Sequence, residues 1–340
     1  MALEKGRQKG RRRRRGGRSS SRPPVLAALD LGTNNCRLLL AVGEPDGTLR
    51  VVDSFSRIVR LGEGVAQTGV LSEAAMERTV AALKVCAERI KKHHVRHIRA
   101  IATEACRQAA NAQVLVDRVA KETGIALSVV TSAEEARLAA IGCAPLIGAA
   151  YDGALAFDIG GGSTEAIWLR RGEGGASLVH FASVPLGVMS LSERNGHAAD
   201  DEAAFAAMYA TMLERFTAVR REMDGVAPFD VARHHLLGTS GTVTTLAGVA
   251  MGLARYVRSR VDASWHDCTA IMAVVEKLIA LDRRSRAAQG CIGEERADLI
   301  VPGCAIFAAI HDVWPCARLR VADRGLREGI LRELMIEART

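Results

Sequence analysis

The chain has 340 residues, of which 49% are apolar, so it is long enough for two lobes with hydrophobic cores and too apolar for a disordered protein. Aromatic residues make up only 4%, which argues against a nucleic-acid-binding surface that stacks bases. The formal net charge is +8, but residues 1–22 hold ten basic residues and one acidic residue, which leaves a charge of about −1 for the rest of the chain.

The N-terminal segment carries this basic charge. Residues 1–24 are rich in Arg, Gly, Ser and Pro, a composition that predicts a disordered tail. Arg11–Arg15 are five consecutive arginines. They form either a solvated extension or a site for a polyanion such as polyphosphate or RNA, which releases its condensed counterions on binding.

No run of 18 or more apolar residues occurs, and no signal-type apolar stretch follows the tail. We therefore expect no membrane span and a cytoplasmic protein. The eight cysteines form no Cys-x-x-Cys pair and lie mostly in apolar segments. This pattern predicts buried, reduced thiols rather than disulfides or a zinc site.

The pattern of apolar residues predicts strands and helices that alternate in two successive sets. The first set comprises strands at Val25–Leu31, Arg37–Val42 and Thr48–Ser56, a helix at Glu73–Lys92, strands at Ile98–Ala102 and Leu127–Val130, and a helix at Ala133–Ile147. The second set comprises strands at Ala154–Asp158, Glu165–Leu169 and Ser177–Val184, helices at 186–194 and 201–222, a strand at His235–Gly238 with a helix after Gly241, helices at Ser264–Arg283 and Ala297–Val313, a strand at Arg318–Ala322 and a helix at Arg324–Ala338. Such a repeat favours an α/β protein of two lobes with mixed sheets.

A phosphate-binding hairpin is predicted at the end of the first strand. There the sequence reads Asp30-Leu31-Gly32-Thr33-Asn34-Asn35. Gly32 allows the backbone to approach an anion, and Thr33, Asn34 and Asn35 offer hydroxyl, amide and backbone N–H donors. Asp30 would hold a magnesium-bound water. An ordinary tight turn would use the same residue types, so this hairpin alone is weak evidence.

A second hairpin repeats the pattern 128 positions later, at Asp158-Ile159-Gly160-Gly161-Gly162-Ser163-Thr164-Glu165. Three successive glycines are entropically costly in a strand-to-strand turn, and bare backbone N–H groups at a phosphate would justify that cost, whereas a flexible glycine loop is the alternative. Asp158 and Glu165 flank the turn as hard oxygen ligands that suit Mg²⁺ held largely through water.

A third glycine-rich element, Gly238-Thr239-Ser240-Gly241-Thr242, lies between a strand and a helix. Free N–H groups at a helix start bind anions, although capping alone would also explain the hydroxyl residues. No Gly-Lys dipeptide occurs, which excludes a Walker-type P-loop.

Together these elements resemble the exopolyphosphatase/guanosine pentaphosphate phosphohydrolase (Ppx/GppA) family, within the actin–sugar kinase–Hsp70 ATPase superfamily. The resemblance extends from Val25 to Leu334. It rests on the three glycine elements and on Arg60-Leu61-Gly62-Glu63-Gly64, Ala102-Thr103-Glu104-Ala105-Cys106-Arg107 with Asn111, Glu134-Glu135-Ala136-Arg137, and Asp323-Arg324-Gly325-Leu326-Arg327-Glu328-Gly329. The Glu-Glu-Ala-Arg block separates this family from its kinase relatives.

The resemblance implies two ribonuclease H-like lobes with mixed sheets, helices and a cleft between them. Residues 25–147 would form lobe I, with about 323–340 packing back on it, and 148–322 would form lobe II. It further implies a homodimer that uses Mg²⁺, or Mn²⁺ as an alternative, to hydrolyse the terminal phosphate of inorganic polyphosphate. Guanosine pentaphosphate (pppGpp) is the alternative substrate.

The resemblance also implies roles for individual residues. Glu135 would be the catalytic glutamate that orients and deprotonates the attacking water, although the residues alone are typical of a solvated first helical turn. Asp158, Glu165 and Asp30 would hold the metal through water. Arg107 would face the polyanion path, and Arg327 is expected on a helix surface. The phosphate-binding set would comprise Gly32, Thr33, Asn34, Asn35, Arg107, Gly160, Gly161, Gly162, Ser163, Thr164, Gly238, Thr239, Ser240 and Gly241.

Two departures from the family pattern qualify these expectations. The first turn reads Thr33-Asn34-Asn35-Cys36 where many members have Ser-Asn-Ser, and the Cys36 thiol is a weaker donor than a hydroxyl. The chain ends at Thr340, which predicts the short form without the C-terminal His-Asp-type extension and favours polyphosphate over pppGpp. A kinase-like phosphotransferase and a non-catalytic sensor are the remaining alternatives, which Glu135 and the acidic set disfavour.

Overall fold

The computed structural model of the chain describes residues 23–172, 175–195 and 202–338. The tail predicted for residues 1–24 lies outside the described residues up to Arg22. Within these ranges, no helix is long and apolar enough to cross a membrane. All eight cysteines are buried and free, as predicted.

The first half of the chain forms a five-stranded sheet with helices. Its elements are β1 (Val25–Leu31), β2 (Asn35–Gly43), β3 (Leu49–Ile58), α1 (Val65–Thr68), α2 (Glu73–Lys92), β4 (His97–Ala102), α3 (Glu104–Gln108), α4 (Ala112–Thr123), β5 (Leu127–Val129) and α5 (Ser132–Cys143), with a 3-10 turn at Ala144–Leu146. The strand order is β3-β2-β1-β4-β5. β1, β2 and β3 form an antiparallel meander, and β4 and β5 run parallel to β1.

The second half repeats this plan with six strands. Its elements are β6 (Gly153–Ile159), β7 (Thr164–Gly172), β8 (Gly175–Val184), α6 (Val188–Arg194), α7 (Glu202–Val226), β9 (His234–Thr239), α8 (Ser240–Ala250), α9 (Arg258–Val261), β10 (Trp265–Asp267), α10 (Cys268–Ile279), α11 (Arg283–Ala287), α12 (Ile300–Val313), β11 (Arg318–Ala322) and α13 (Leu326–Glu337). The strand order is β10-β11-β9-β6-β7-β8, with β9 and β11 parallel to β6.

Both sheets are covered on two faces, which explains why β1 and β6 are almost entirely apolar. In β1, Leu29 packs with α2 and its neighbours, whereas Ala28 packs on the other face with α13. In β6, Phe157 packs with α7 and α12, whereas Ala156 packs with α5.

Two helices connect the sheets by packing against each other. α13 lies on the first sheet and α5 lies on the second. A Cβ atom at Gly329 of α13 would come within 1.9 Å of the Leu138 carbonyl oxygen of α5. A Cβ atom at Gly142 of α5 would come equally close, 1.9 Å, to the Gly325 carbonyl oxygen. Glycine is therefore required at both positions for this close helix crossing. The lobe boundaries stay a prediction.

The predicted strands are confirmed within one to three residues, but one helix prediction fails. The single helix expected over Ser264–Arg283 is wrong, because Trp265–Asp267 forms an edge strand paired with β11. The helix then begins at Cys268 and ends at Ile279, and Asp282 starts α11 by accepting a hydrogen bond from the Ser285 N–H at 2.6 Å. α3 and α4 were not predicted. α4 buries only Leu115 and Val119, too few apolar positions for a clear helical period.

Candidate active site

The two predicted hairpins and the start of α8 meet at a cavity of about 440 Å³ between the sheets. Both halves of the chain and the start of α13 contribute to its walls. Fifteen of the predicted site residues line it: Asp30, Gly32, Thr33, Asn34, Asn35, Glu135, Asp158, Gly160, Gly161, Gly162, Ser163, Glu165, Thr239, Ser240 and Gly241.

The two hairpins have the same backbone geometry. In the first, the Gly32 N–H donates to the Asn35 carbonyl oxygen at 2.9 Å. In the second, the Gly160 N–H donates to the Ser163 carbonyl oxygen at 3.0 Å. The repeated sequence pattern therefore encodes a repeated turn, one on each sheet.

The tips of both hairpins present free backbone donors. Among the described residues, the N–H groups of Thr33, Asn34, Gly161 and Gly162 have no hydrogen-bond partner. The tips also touch each other: a Cβ at Gly161 would lie 3.1 Å from Thr33 Cβ, and one at Gly162 would lie 2.9 Å from Thr33 Oγ1. The glycines thus serve two purposes, since they expose N–H groups to an anion and allow the hairpins to meet.

The Arg60–Gly64 motif holds the first hairpin from behind. The N–H groups of Val59 and Arg60 both donate to the Asn34 carbonyl oxygen, at 2.9 and 3.0 Å. The Gly62 N–H donates to the Thr33 carbonyl oxygen at 2.9 Å. Because the tip's carbonyl groups are occupied in this way, its N–H groups are left to face the cavity.

Three carboxylates of the hairpins line the cavity; Glu165 is buried, and Asp30 and Asp158 are half-buried. Burial and the charge of Asp30 raise the pKa of Asp158 to about 6. Burial and the charge of Asp158 raise the pKa of Glu165 to about 7, although the hydroxyls of Ser163 and Ser183 donate to Glu165 Oε1 at 2.7 and 2.9 Å. Burial also raises the pKa of Asp30. Such mutual repulsion is reduced by any cation that enters the cavity.

Glu135 faces these carboxylates from the first turn of α5. Its side chain is 16% exposed, and Oε2 accepts a hydrogen bond from Arg107 Nη1 at 2.7 Å. Burial, followed by the charge of Glu165, raises the pKa of Glu135 well above its usual range, and Arg107 opposes this shift. Glu135 is therefore a largely enclosed carboxyl group at the cavity rather than part of a solvated helical turn.

The adjacent Glu134 has a different environment. The Thr131 hydroxyl accepts the Glu134 N–H at 3.2 Å and caps the helix. The Glu134 carboxylate pairs with Arg137 and Arg99, at 2.7 and 2.5 Å, and these guanidinium groups lower the pKa of Glu134 to about 2. Glu134 consequently anchors the helix, whereas Glu135 enters the cavity.

The third glycine element places a strained residue at the cavity. Ser240 begins α8 with a φ of +82°, a left-handed conformation that is uncommon for serine and costs about 1–3 kcal/mol. Its hydroxyl donates to the Ile159 carbonyl oxygen of the second hairpin at 2.8 Å. This bond joins the start of α8 to the second hairpin.

Three predicted site residues lie behind the cavity wall. Thr164 is fully buried, and its hydroxyl donates to the Leu186 carbonyl oxygen at 2.8 Å. Gly238 is enclosed by Phe157 and Val243, whose side chains lie 2.6–2.7 Å from where a Cβ would be. The positions of Thr164 and Gly238 indicate that these residues contribute to packing rather than to substrate contact. The third, Arg107, pairs with Glu104 and Glu135 instead of facing an open path.

The cavity also contains arginines that the sequence analysis did not assign to it, namely Arg37, Arg258, Arg296, Arg324 and Arg327. The expectation that Arg327 lies on a helix surface is wrong, because Arg327 lines the cavity, where burial lowers its pKa and Asp30 is among the charged groups around it. Arg37 could have been noticed as a lone charge within the apolar run of β2, since such a charge needs a partner or a ligand.

Across the described ranges, no group of three or more His, Cys, Asp or Glu side chains is arranged to hold a metal ion directly. The three neighbouring carboxylates of Asp30, Asp158 and Glu165 nevertheless fit a hydrated divalent cation, whose water ligands would span the gap to the protein.

Comparison with known proteins gives a consistent family assignment. Residues 42–338 match the Ppx/GppA phosphatase family. The chain is 33% identical over 323 residues to a protein named exopolyphosphatase 2 from Mycobacterium tuberculosis, covering 90% of this chain and 97% of that protein.

Solved structures agree in fold. The crystal structure of the Aquifex aeolicus Ppx/GppA family member matches with a TM-score of 0.76 and 26% identity, over 93% of this chain and 99% of the other. An exopolyphosphatase from Cytophaga hutchinsonii matches with a TM-score of 0.81 and 26% identity, over 92% and 98%. The two mixed sheets thus form the expected two-lobed, actin-like fold.

Proposed function

Because the chain belongs to the Ppx/GppA phosphatase family and is a phosphoanhydride hydrolase, we propose that it is an exopolyphosphatase. It would release orthophosphate from the end of inorganic polyphosphate, with Mg²⁺ or Mn²⁺ as cofactor and Glu135 as the residue that activates water.

The position of Glu135 is the observation that carries this proposal. Its carboxyl group lies in the same cavity as both hairpin tips, and a raised pKa makes it a better proton acceptor than an exposed glutamate. The free N–H groups of the tips are suited to hold phosphate oxygens while charge builds up on them. Glu135 would then orient a water molecule towards the terminal phosphorus and accept its proton, and no covalent intermediate is needed.

Asp30, Asp158 and Glu165 would hold the metal through water, and the bound cation would neutralise charge on the phosphate oxygens. The geometry of Glu165 supports this role, since Ser163 and Ser183 both donate to Oε1, and no residue that the structure describes donates to Oε2. Arg37 and Arg327 would contact the phosphates that follow the terminal one.

A nucleotide substrate such as pppGpp is the second candidate, favoured by the shape of the cavity. Beyond the hairpins it continues between Tyr256, Arg258 and Arg296. Tyr256 is 36% exposed and its ring could stack on a base, while its hydroxyl donates to Asp323 at 2.5 Å.

The deciding experiment measures orthophosphate release from long polyphosphate and from pppGpp side by side, with Mg²⁺, with Mn²⁺ and with EDTA. We expect turnover of polyphosphate that EDTA abolishes and either cation restores. Faster release from pppGpp would identify the second candidate as the function. Transfer of phosphate from ATP to an added acceptor, without release from either substrate, would contradict both.

A further inference from the structure

A second cavity, of about 340 Å³, lies apart from the cleft. It lies between the loop that follows the 3-10 turn after α5 and the strands β10 and β11. Seven residues line it: Gly148, Ala149, Ala150, Tyr151, Trp265, Arg318 and Arg320. None of them belongs to the predicted active site.

An ordered group of rings forms one side of this cavity. Tyr151 stacks on Trp265 with centroids 5.7 Å apart and ring planes inclined by 24°. The guanidinium groups of Arg320 and Arg318 lie 5.1 and 5.8 Å from the centre of the Trp265 ring. The indole of Trp265 is thus already in contact with one ring and two guanidinium groups.

The arginines bring positive charge that the protein balances only in part. Arg318 pairs with Asp267 at 3.1 Å, but the Asp267 side chain is 64% exposed. Arg320 donates from Nη1 to the Leu146 carbonyl oxygen at 3.1 Å and has no ion pair within the part of the chain that the structure describes. Its Nε is buried without a hydrogen-bond partner, and an unsatisfied buried donor costs about 1–3 kcal/mol.

The Gly148–Tyr151 loop, which lines the same cavity as the arginines, adds backbone donors. The Gly148 N–H donates to His235 Nε2 at 3.1 Å, which fixes the start of the loop. Over the described residues, the N–H groups of Ala149 and Ala150 make no hydrogen bond. Free N–H groups beside two guanidinium groups are the donor set that recognises a phosphate oxyanion.

We propose that this cavity is a second anion-binding site, which takes a phosphate group between Arg318, Arg320 and the Gly148–Tyr151 loop. The phosphate is either free orthophosphate or a unit of a polyphosphate chain. β11 carries Arg318 and Arg320 and ends at Ala322, two residues before Arg324, which lines the cleft, so this strand leads from the second cavity towards the first.

Trp265 offers a direct readout of binding. Of the three tryptophans in the chain, Trp168 and Trp314 are only 1% and 0% exposed, whereas Trp265 lines the cavity. The experiment titrates the full chain with orthophosphate, tripolyphosphate and long polyphosphate in EDTA at constant ionic strength, and follows tryptophan emission.

We expect a saturable change in emission. Arg320→Gln should weaken the apparent affinity about 10- to 100-fold, the usual cost of losing a charged hydrogen bond. Arg318→Gln serves as the second variant if Arg320→Gln does not fold. Arg215→Gln removes an exposed arginine from α7, on the other side of the second sheet, and should leave the titration unchanged. Saturation by orthophosphate identifies the free anion as the ligand, and saturation only by the longer probes identifies the chain.

The proposal is overturned if emission does not saturate with any probe, or if the titration is the same in the wild type and in both cavity variants. It is also overturned if Arg37→Gln, which alters only the cleft, removes the emission change. Because the readout needs no turnover, the result is independent of whether the chain proves to be an exopolyphosphatase.

Discussion

Arg37 and Glu165 occupy equivalent positions on the two hairpins. Each is the cross-strand partner of its hairpin's aspartate: Arg37 lies opposite Asp30, and Glu165 lies opposite Asp158. The two hairpins share a backbone geometry but present opposite charges at this position. This difference supports the proposed roles of the two side chains, in which Arg37 would contact a phosphate group and Glu165 would help to hold the cation.

Replacing Arg37 tests its proposed contact with a phosphate group of the substrate. Arg37→Gln removes a guanidinium that faces the cavity, so we expect KM for polyphosphate to rise about 10- to 100-fold with a smaller change in kcat. Steady-state phosphate release measures both constants. Arg215→Gln, on the surface of α7, is the matched control, and a KM that rises equally in that variant would indicate a general charge effect.

Glu135 and Glu134 form a matched pair for testing catalysis. Glu135→Gln keeps the shape of the side chain but removes its ability to accept a proton, so kcat should fall about 10²- to 10⁴-fold while polyphosphate binding is retained. Glu134→Gln should leave kcat within a few-fold of the wild type, because Glu134 pairs with Arg99 and Arg137 outside the cavity. An active Glu135→Gln enzyme would refute the assigned role.

The close crossing of α5 and α13 predicts that one methyl group added at Gly329 strongly lowers the stability of the fold. Gly329→Ala places a Cβ against the Leu138 carbonyl oxygen, so we expect the free energy of unfolding to fall by about 1–3 kcal/mol, the usual cost of overpacking. Urea unfolding followed by circular dichroism measures the change. Gly225→Ala on α7, where a Cβ meets nothing within 4 Å, should be neutral or stabilising. Equal effects in both variants would contradict the close crossing.

His235 predicts loss of stability in mild acid. Burial lowers its pKa from 6.5 to about 4, and its Nε2 accepts the Gly148 N–H, which requires the neutral ring. The unfolded chain therefore takes up this proton near pH 6.5 and the folded chain only near pH 4. The contribution of neutral His235 to the free energy of unfolding is complete above pH 6.5. It decreases as the pH falls, by about 2 kcal/mol between pH 7 and 5.

Urea unfolding of the wild type and of His235→Asn at both pH values tests this linkage. The variant should lose less stability than the wild type between pH 7 and 5. Substitution of the exposed His97 by Asn is the control and should behave as the wild type does. Identical pH dependence in all three proteins would rule out His235 as the source.

The arginines of residues 1–22 predict a dependence on substrate length. Deleting residues 2–22 removes ten basic residues. We expect KM to rise for long polyphosphate and to stay the same for tripolyphosphate, since only a long chain can contact a tethered polycation while its end is in the cleft. KM measured for both substrates at low and high salt provides the test, and an equal change for the two lengths would contradict it.

Local elements could be predicted because their determinants lie close together in the sequence. Asp30–Asn35 and Asp158–Glu165 each specify a turn between two apolar strands, and both turns form as expected. The third element, Gly238–Thr242, does begin a helix, yet Gly238 serves packing. The helix predicted over Ser264–Arg283 failed because pairing with β11, a contact between distant segments, outweighs the local preference of its first residues.

The sequence by itself determined the twin hairpins, their acids and glycines, and most of the strands, because turn geometry and strand periodicity are properties of a few neighbouring residues. Only the tertiary structure decided what each charge faces. Glu134 and Glu135 are adjacent and chemically identical, yet one meets Arg99 and Arg137 while the other meets Arg107 and the cavity. Burial and neighbouring charge arise where segments far apart in the chain come together, and these two quantities set the pKa of a carboxyl group.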